Sequence, residues 1–116
     1  MYHVLIIEDE LLIALNIEAI LSDNGATSFD FADTEASAVA AAEIHHPEFI
    51  VADVMLKEGA GPEAVRTIRA SLGDIPVIFV TGTPEACHPC NPPARVFEKP
   101  MNEASIARAF REMKAA

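Results

Sequence analysis

The stretch His3-Val4-Leu5-Ile6-Ile7-Glu8-Asp9 frames the reading of the whole chain. A short apolar run that stops abruptly at two carboxylates fits a strand buried on both faces, the kind found in parallel sheets. The pattern recurs three times. Phe49-Ile50-Val51-Ala52 is followed by Asp53, Val77-Ile78-Phe79-Val80 by Thr81, and Arg95-Val96-Phe97-Glu98 by Lys99. If these runs are strands of one parallel sheet, Glu8, Asp9, Asp53, Thr81 and Lys99 gather at its carboxyl edge, where open α/β sheets bind ligands.

Helical periodicity fills the intervals, as a doubly wound sheet requires. The first helix is expected over about residues 10–23, with Leu11, Leu12, Leu15, Ala19 and Ile20 at helical spacing and Gly25 past its end as a C-cap. A strand near residues 27–31 leads to an alanine-rich helix near 35–45, capped by Thr34. Gly59 and Gly61 mark a loop, and Pro62 opens a helix running to about Ser71. Asn102 can cap a last helix over residues 103–114, with Ile106, Ala109, Phe110 and Met113 as its buried stripe. One interval differs. Between Thr81 and the last strand, Pro89, Pro92 and Pro93 forbid a regular fourth crossover helix, so a short turn near residues 84–88 and otherwise a mobile loop are expected.

The 116 residues are expected to form one domain, 1–116, with 51% hydrophobic residues to cover both sheet faces. A formal charge of −10 disfavours direct contact with nucleic acid or an anionic membrane. No run reaches membrane-spanning length and no signal-peptide pattern opens the chain, so a cytoplasmic location is expected. Two cysteines make no disulfide framework.

The residue types at the expected edge suit phosphoryl chemistry. Magnesium takes hard oxygen ligands and retains waters, and Glu8, Asp9 and Asp53 can supply a carboxylate shell. Clustered carboxylates repel, and a cation relieves that cost. Asp53, on what should be the central strand, is the candidate nucleophile for an aspartyl phosphate. Lys99 and the Thr81 hydroxyl would hold phosphoryl oxygens, and Gly82 leaves room for the donor. Taken singly, each residue has a plain alternative. An acidic pair can serve a helix N-terminus, Asp53 a turn, Thr81 a strand end and Lys99 the solvated surface. Met55 reads as a packing residue, and His3, His45, His46 and His88 as surface or strand-end residues.

The Glu8-Asp9 pair, Asp53, the Thr81-Gly82 step and Lys99-Pro100, in this order and strand context, resemble a response regulator receiver domain over essentially the whole length. The resemblance implies a flavodoxin-like sheet of order 2-1-3-4-5, with Asp53 phosphorylated by a histidine kinase or histidine phosphotransfer protein in a magnesium-dependent step. It further implies Mg2+ held by Glu8, Asp9, Asp53 and the backbone carbonyl of Met55, Thr81 and Lys99 on the phosphoryl group, and a cis Lys99-Pro100 peptide. Receivers commonly carry an aromatic switch residue where this chain has Val96, and strand alternation points Phe97 to the other face. With Phe79-Val80-Thr81-Gly82 and the broken crossover, this is similar to the FAT GUY receivers, often single-domain regulators or receivers in alphaproteobacterial general stress signalling served by kinases of the HWE class. A stand-alone phosphoacceptor, not an enzyme in its own right, is therefore expected to signal through the 82–93 loop, last strand and last helix. The residues also allow two other functions. Cys87-His88-Pro89-Cys90 could serve redox sensing, although Pro92-Pro93 disfavour the helix that activates a C-x-x-C thiol. A magnesium-dependent phosphohydrolase usually has a second Asp two residues past its nucleophile, and that place holds Met55.

Overall fold

A computed structural model describes residues 1–87 and 90–115. The chain runs β1 (His3–Ile7), α1 (Leu11–Ser22), β2 (Ser28–Ala32), α2 (Glu35–Ile44), β3 (Phe49–Ala52), α3 (Gly61–Leu72), β4 (Val77–Thr81), a 3-10 turn (Pro84–Ala86), β5 (Ala94–Glu98) and α4 (Glu103–Ala115). All five strands pair in parallel in the order β2-β1-β3-β4-β5. This is the flavodoxin-like arrangement implied by the resemblance, with β3 at the centre.

Strand alternation divides the core into two layers. Leu5, Ile7, Ile50, Ala52, Val77 and Phe79 face α2 and α3, where Ala38, Ala42, Ala64, Val65 and Ile68 meet them. Val4, Ile6, Phe49, Val51, Ile78 and Val80 face α1 and α4, against Ala14, Ile17, Leu21, Ile106, Ala109 and Phe110. Phe97 joins this second layer, while Val96 lies on the opposite face and is largely exposed, as the alternation predicts. Thr34 caps α2 by accepting from the Ser37 amide at 3.0 Å, and the Ser37 hydroxyl accepts in return from the Thr34 amide at 3.1 Å. Gly25, with φ +111°, turns the chain after α1.

Two expectations are corrected. Most of the stripe assigned to α1 faces outward: Leu11, Leu12 and Leu15 are 69%, 79% and 45% exposed, Ile20 alone of that stripe is buried, and Ala14, Ile17 and Leu21 complete the buried face. The segment Leu-Leu-Ile-Ala-Leu-Asn-Ile-Glu-Ala-Ile-Leu-Ser is apolar on nearly every side, so periodicity alone does not choose the face. The cysteines, expected to make no disulfide framework, are joined as a Cys87–Cys90 disulfide with Cα atoms 5.6 Å apart, and both pack on the α3-side layer. Residues 88 and 89, including His88, lie outside the described residues, so the expected end of the turn at residue 88 does too. The fourth crossover keeps one short turn, closed by the amides of Ala86 and Cys87 on the carbonyls of Thr83 and Pro84 at 2.9 and 3.1 Å. Farther on, the Arg69 guanidinium donates from α3 to the carbonyls of Ile75 (2.8 Å), Asn91 (2.7 Å) and Pro93 (2.8 Å), tying the end of that crossover to the helix before it.

Candidate functional site

Glu8, Asp53 and Lys99 each sit one step beyond a strand and are held there by the ladder itself. The amide of Glu8 donates to Ala32 O, that of Asp53 to Ile7 O and that of Lys99 to Thr81 O, each at 2.9 Å. The three side chains therefore leave the ends of β1, β3 and β5 at one level. Lys99 Nζ stands at their centre, 2.9 Å from Asp53 Oδ2, 3.3 Å from Glu8 Oε1 and 3.6 Å from Glu10 Oε1. Carboxylate oxygens of Glu8, Asp9, Glu10 and Asp53 can lie within 4.8 Å of one another.

Backbone amides fix one oxygen of three of these carboxylates. Asp53 Oδ1 accepts from the Val54 amide at 2.7 Å, Glu8 Oε2 from Glu10 at 3.1 Å and Asp9 Oδ2 from Lys57 at 2.8 Å. Glu8 is the constrained member. Burial, reinforced by the Asp53 charge and only partly offset by the Glu10 amide and Lys99, pushes its carboxyl up to about 7. Its Oε1 is buried and makes no well-aligned hydrogen bond despite the nearby ammonium. For Lys99, burial pulls downward, but the bond to Asp53 and the charges of Glu8 and Asp53 outweigh it and hold the ammonium above its ordinary value.

The arrangement fits a magnesium ion. Its donors are hard oxygens, they converge, and one buried carboxylate oxygen lacks a satisfying partner. Met55, the other expected ligand through its carbonyl, lies two residues past Asp53 in the β3–α3 loop and bridges Ala60. Its side chain is exposed, so the packing role read for it is wrong. The loop turns back onto the site at Gly61, whose amide donates to Val54 O at 2.9 Å. A Cβ on Gly61 would come 1.8 Å from the Asp53 carbonyl oxygen, so only glycine permits this approach.

Thr81 is buried at the end of β4, and its hydroxyl is turned into a local bond. It accepts from the Thr83 amide at 3.0 Å and lies 3.3 Å from the Thr83 hydroxyl. Beyond it, a side chain on Gly82 would meet nothing within 4 Å, so the edge is open there. Sequence reasoning missed Glu10, Gly61 and Thr83. Glu10 was legible as a third consecutive acid; the other two act through backbone approach and a two-residue hydroxyl turn.

Comparisons with known proteins agree with this geometry. The family model described as response regulator receiver domain matches residues 4–90. The chain is 36% identical over 109 residues to the phyllosphere-induced regulator PhyR of Methylorubrum extorquens, covering 90% of this chain but 40% of that relative. The solution structure of the PhyR response regulator receiver domain of Erythrobacter litoralis superposes with a TM-score of 0.87 at 30% identity, over 98% of this chain and 90% of that one. The receiver domain of a sensor histidine kinase from Pseudomonas aeruginosa PAO1, solved with a magnesium ion in its active-site cleft, gives 0.84 at 26% identity over 99% and 98%. With the acids, lysine and threonine at the carboxyl edge of a 2-1-3-4-5 sheet, these matches establish that the chain belongs to the response regulator receiver domain family.

Proposed function

We propose that this receiver accepts a phosphoryl group on Asp53 from a phosphohistidine of a kinase or phosphotransfer partner. The observation that carries the reading is Lys99 Nζ lying between Asp53 and a buried, under-bonded Glu8. In the transfer, an Asp53 carboxylate oxygen attacks phosphorus, the P–N bond of the donor breaks, and the electron pair leaves with the imidazole. Lys99, already on Asp53, balances charge on the phosphoryl oxygens. Thr81 reaches them by exchanging its bond with the Thr83 amide for one to phosphate. Glu8, Asp9, Asp53 and the Met55 carbonyl, with Glu10 near enough to join through water, would hold Mg2+, which when bound supplies charge neutralisation for the transfer.

The exposed Leu11, Leu12 and Leu15 on α1, next to Phe31 on β2, give the histidine partner an apolar surface beside the acids. Output through the 82–93 segment, β5 and α4 is supported by the exposed Val96 and the reduced fourth crossover, as is membership of the FAT GUY type. The reading is tested by incubating the chain with phosphorylated histidine kinase and Mg2+. Wild type should take up label and Asp53→Asn should not, and Leu12→Asp should slow uptake from the protein donor while sparing uptake from acetyl phosphate. Label retained at another residue of the Asp53→Asn variant would refute it.

A further inference from the structure

A second cluster of donors lies at the amino edge of the sheet, away from the acids. His3 opens β1 and Asp30 lies in β2, on the face that carries Leu5, Ile7 and Ala32 toward α2. His45 directly follows the last residue of α2. His3 Nε2 and His45 Nδ1 approach the same oxygen, Asp30 Oδ2, at 3.0 and 3.1 Å. All three donor atoms lie within 4.8 Å of one another. From Glu8 the cluster is roughly 16 Å away along β1, at ~3.3 Å per residue.

Three features make this more than a hydrogen-bonded group. Zinc bonds of about 2.0–2.1 Å at tetrahedral angles put neighbouring ligand atoms about 3.3 Å apart, so the two imidazole–carboxylate spacings need to open by only a few tenths of an ångström. His3 is already oriented: its Nδ1 lies 2.7 Å from the Ser28 hydroxyl. With Nδ1–H donating to that oxygen, the Nε2 lone pair points at the shared position, the outer-shell arrangement that metal-binding histidines use. The cluster also opens to solvent, in a cleft of about 680 Å³ lined by Met1, Phe29, Ile44 and His46 as well. A fourth ligand, water or His46, has access.

We propose that His3, Asp30 and His45 form a site for a divalent transition metal, zinc above all, that staples the first two strands to the end of α2. Two imidazoles and one carboxylate favour zinc over magnesium, so the two ends of the sheet would take different ions.

Calorimetric titration of the untagged full chain with zinc chloride, in excess Mg2+ to fill the carboxyl edge, should show one zinc per chain. His45→Gln and Asp30→Asn should each weaken binding by at least about 10-fold. His45 is 66% exposed, so its replacement leaves the fold standing, and thermal melts in EDTA verify that for both variants. In nuclear magnetic resonance spectra, the ring nitrogens of His3 and His45 should shift first with added zinc. Absence of zinc binding, or binding of undiminished affinity in both variants, or first shifts at the cysteines, would overturn the proposal.

Discussion

Glu8→Gln, measured without magnesium, isolates the electrostatic cost built into the site. The Glu8 carboxyl is about 1% exposed and is raised from 4.5 to about 7. Between those values the folded chain holds a proton that the unfolded chain has released, so stability falls as pH rises through the window. Moving one carboxyl that far corresponds to roughly 3 kcal/mol, fully lost by about pH 8. Glutamine keeps the shape and the acceptor for the Glu10 amide but cannot ionise. In EDTA the variant should therefore match wild type at pH 4 and be more stable at pH 8 by up to roughly 3 kcal/mol, or about 10 °C in melting temperature for a domain of this size. Other acids cancel in the difference. Magnesium should reverse the ranking at pH 8, since the ionised Glu8 then has its cation and binding stabilises by mass action. Parallel pH curves for the two proteins in EDTA would refute the reasoning. So would equal stabilisation by magnesium.

Lys99→Ala strips the only cation within 4 Å of the two buried carboxylates Glu8 and Asp53 among the described residues, and should cost about 2–4 kcal/mol in urea unfolding, partly recovered by Mg2+. Gly61→Ala drives a Cβ into the Asp53 carbonyl and should cost about 1–3 kcal/mol while slowing phosphoryl uptake, because the loop that carries Met55 must move; equal uptake rates would show that the loop is not held as argued. On addition of beryllofluoride, amides of residues 82–87 should gain protection from hydrogen exchange while those held near Arg69 stay as they were; an unchanged 82–87 segment would send the signal through another face.

What the sequence made legible was whatever depends on period and punctuation. Three apolar runs ending at polar residues, and a shorter Val96-Phe97 step before Lys99, were enough to place Glu8, Asp53, Thr81 and Lys99 at one edge, because a parallel sheet has only one carboxyl edge. The α1 face was not legible, because a helix apolar on most sides is oriented by what the sheet and α4 offer it. The roles of Gly61 and Thr83 were hidden for a different reason. A close backbone approach and a hydroxyl turn are tertiary facts that no local pattern encodes. His3 and His45 were read singly as surface or strand-end residues and Asp30 carried no signal of its own; only the β1–β2 register and the end of α2 bring the three together.

The reduced fourth crossover changes what an activating movement can reach. Val96 pairs beside Phe79 in the β4–β5 ladder and is open to solvent, so no aromatic ring is there to change its burial when Thr81 moves. The Thr81 hydroxyl instead holds the Thr83 amide, and the Thr83 carbonyl starts the 3-10 turn by accepting from Ala86. One residue past that turn, Cys87 packs in the same apolar layer as Phe79. Turning Thr81 toward a phosphoryl group frees the Thr83 amide at the first link of this short chain, and the last link sits against the core beneath the exposed β5 surface. At the far end, Arg69 holds the Asn91 and Pro93 carbonyls from α3. If Asp53 is phosphorylated as proposed, the short turn from Thr83 to Cys87, tied to the sheet through Thr81, would give the phosphoryl group leverage on the surface without a rotating ring.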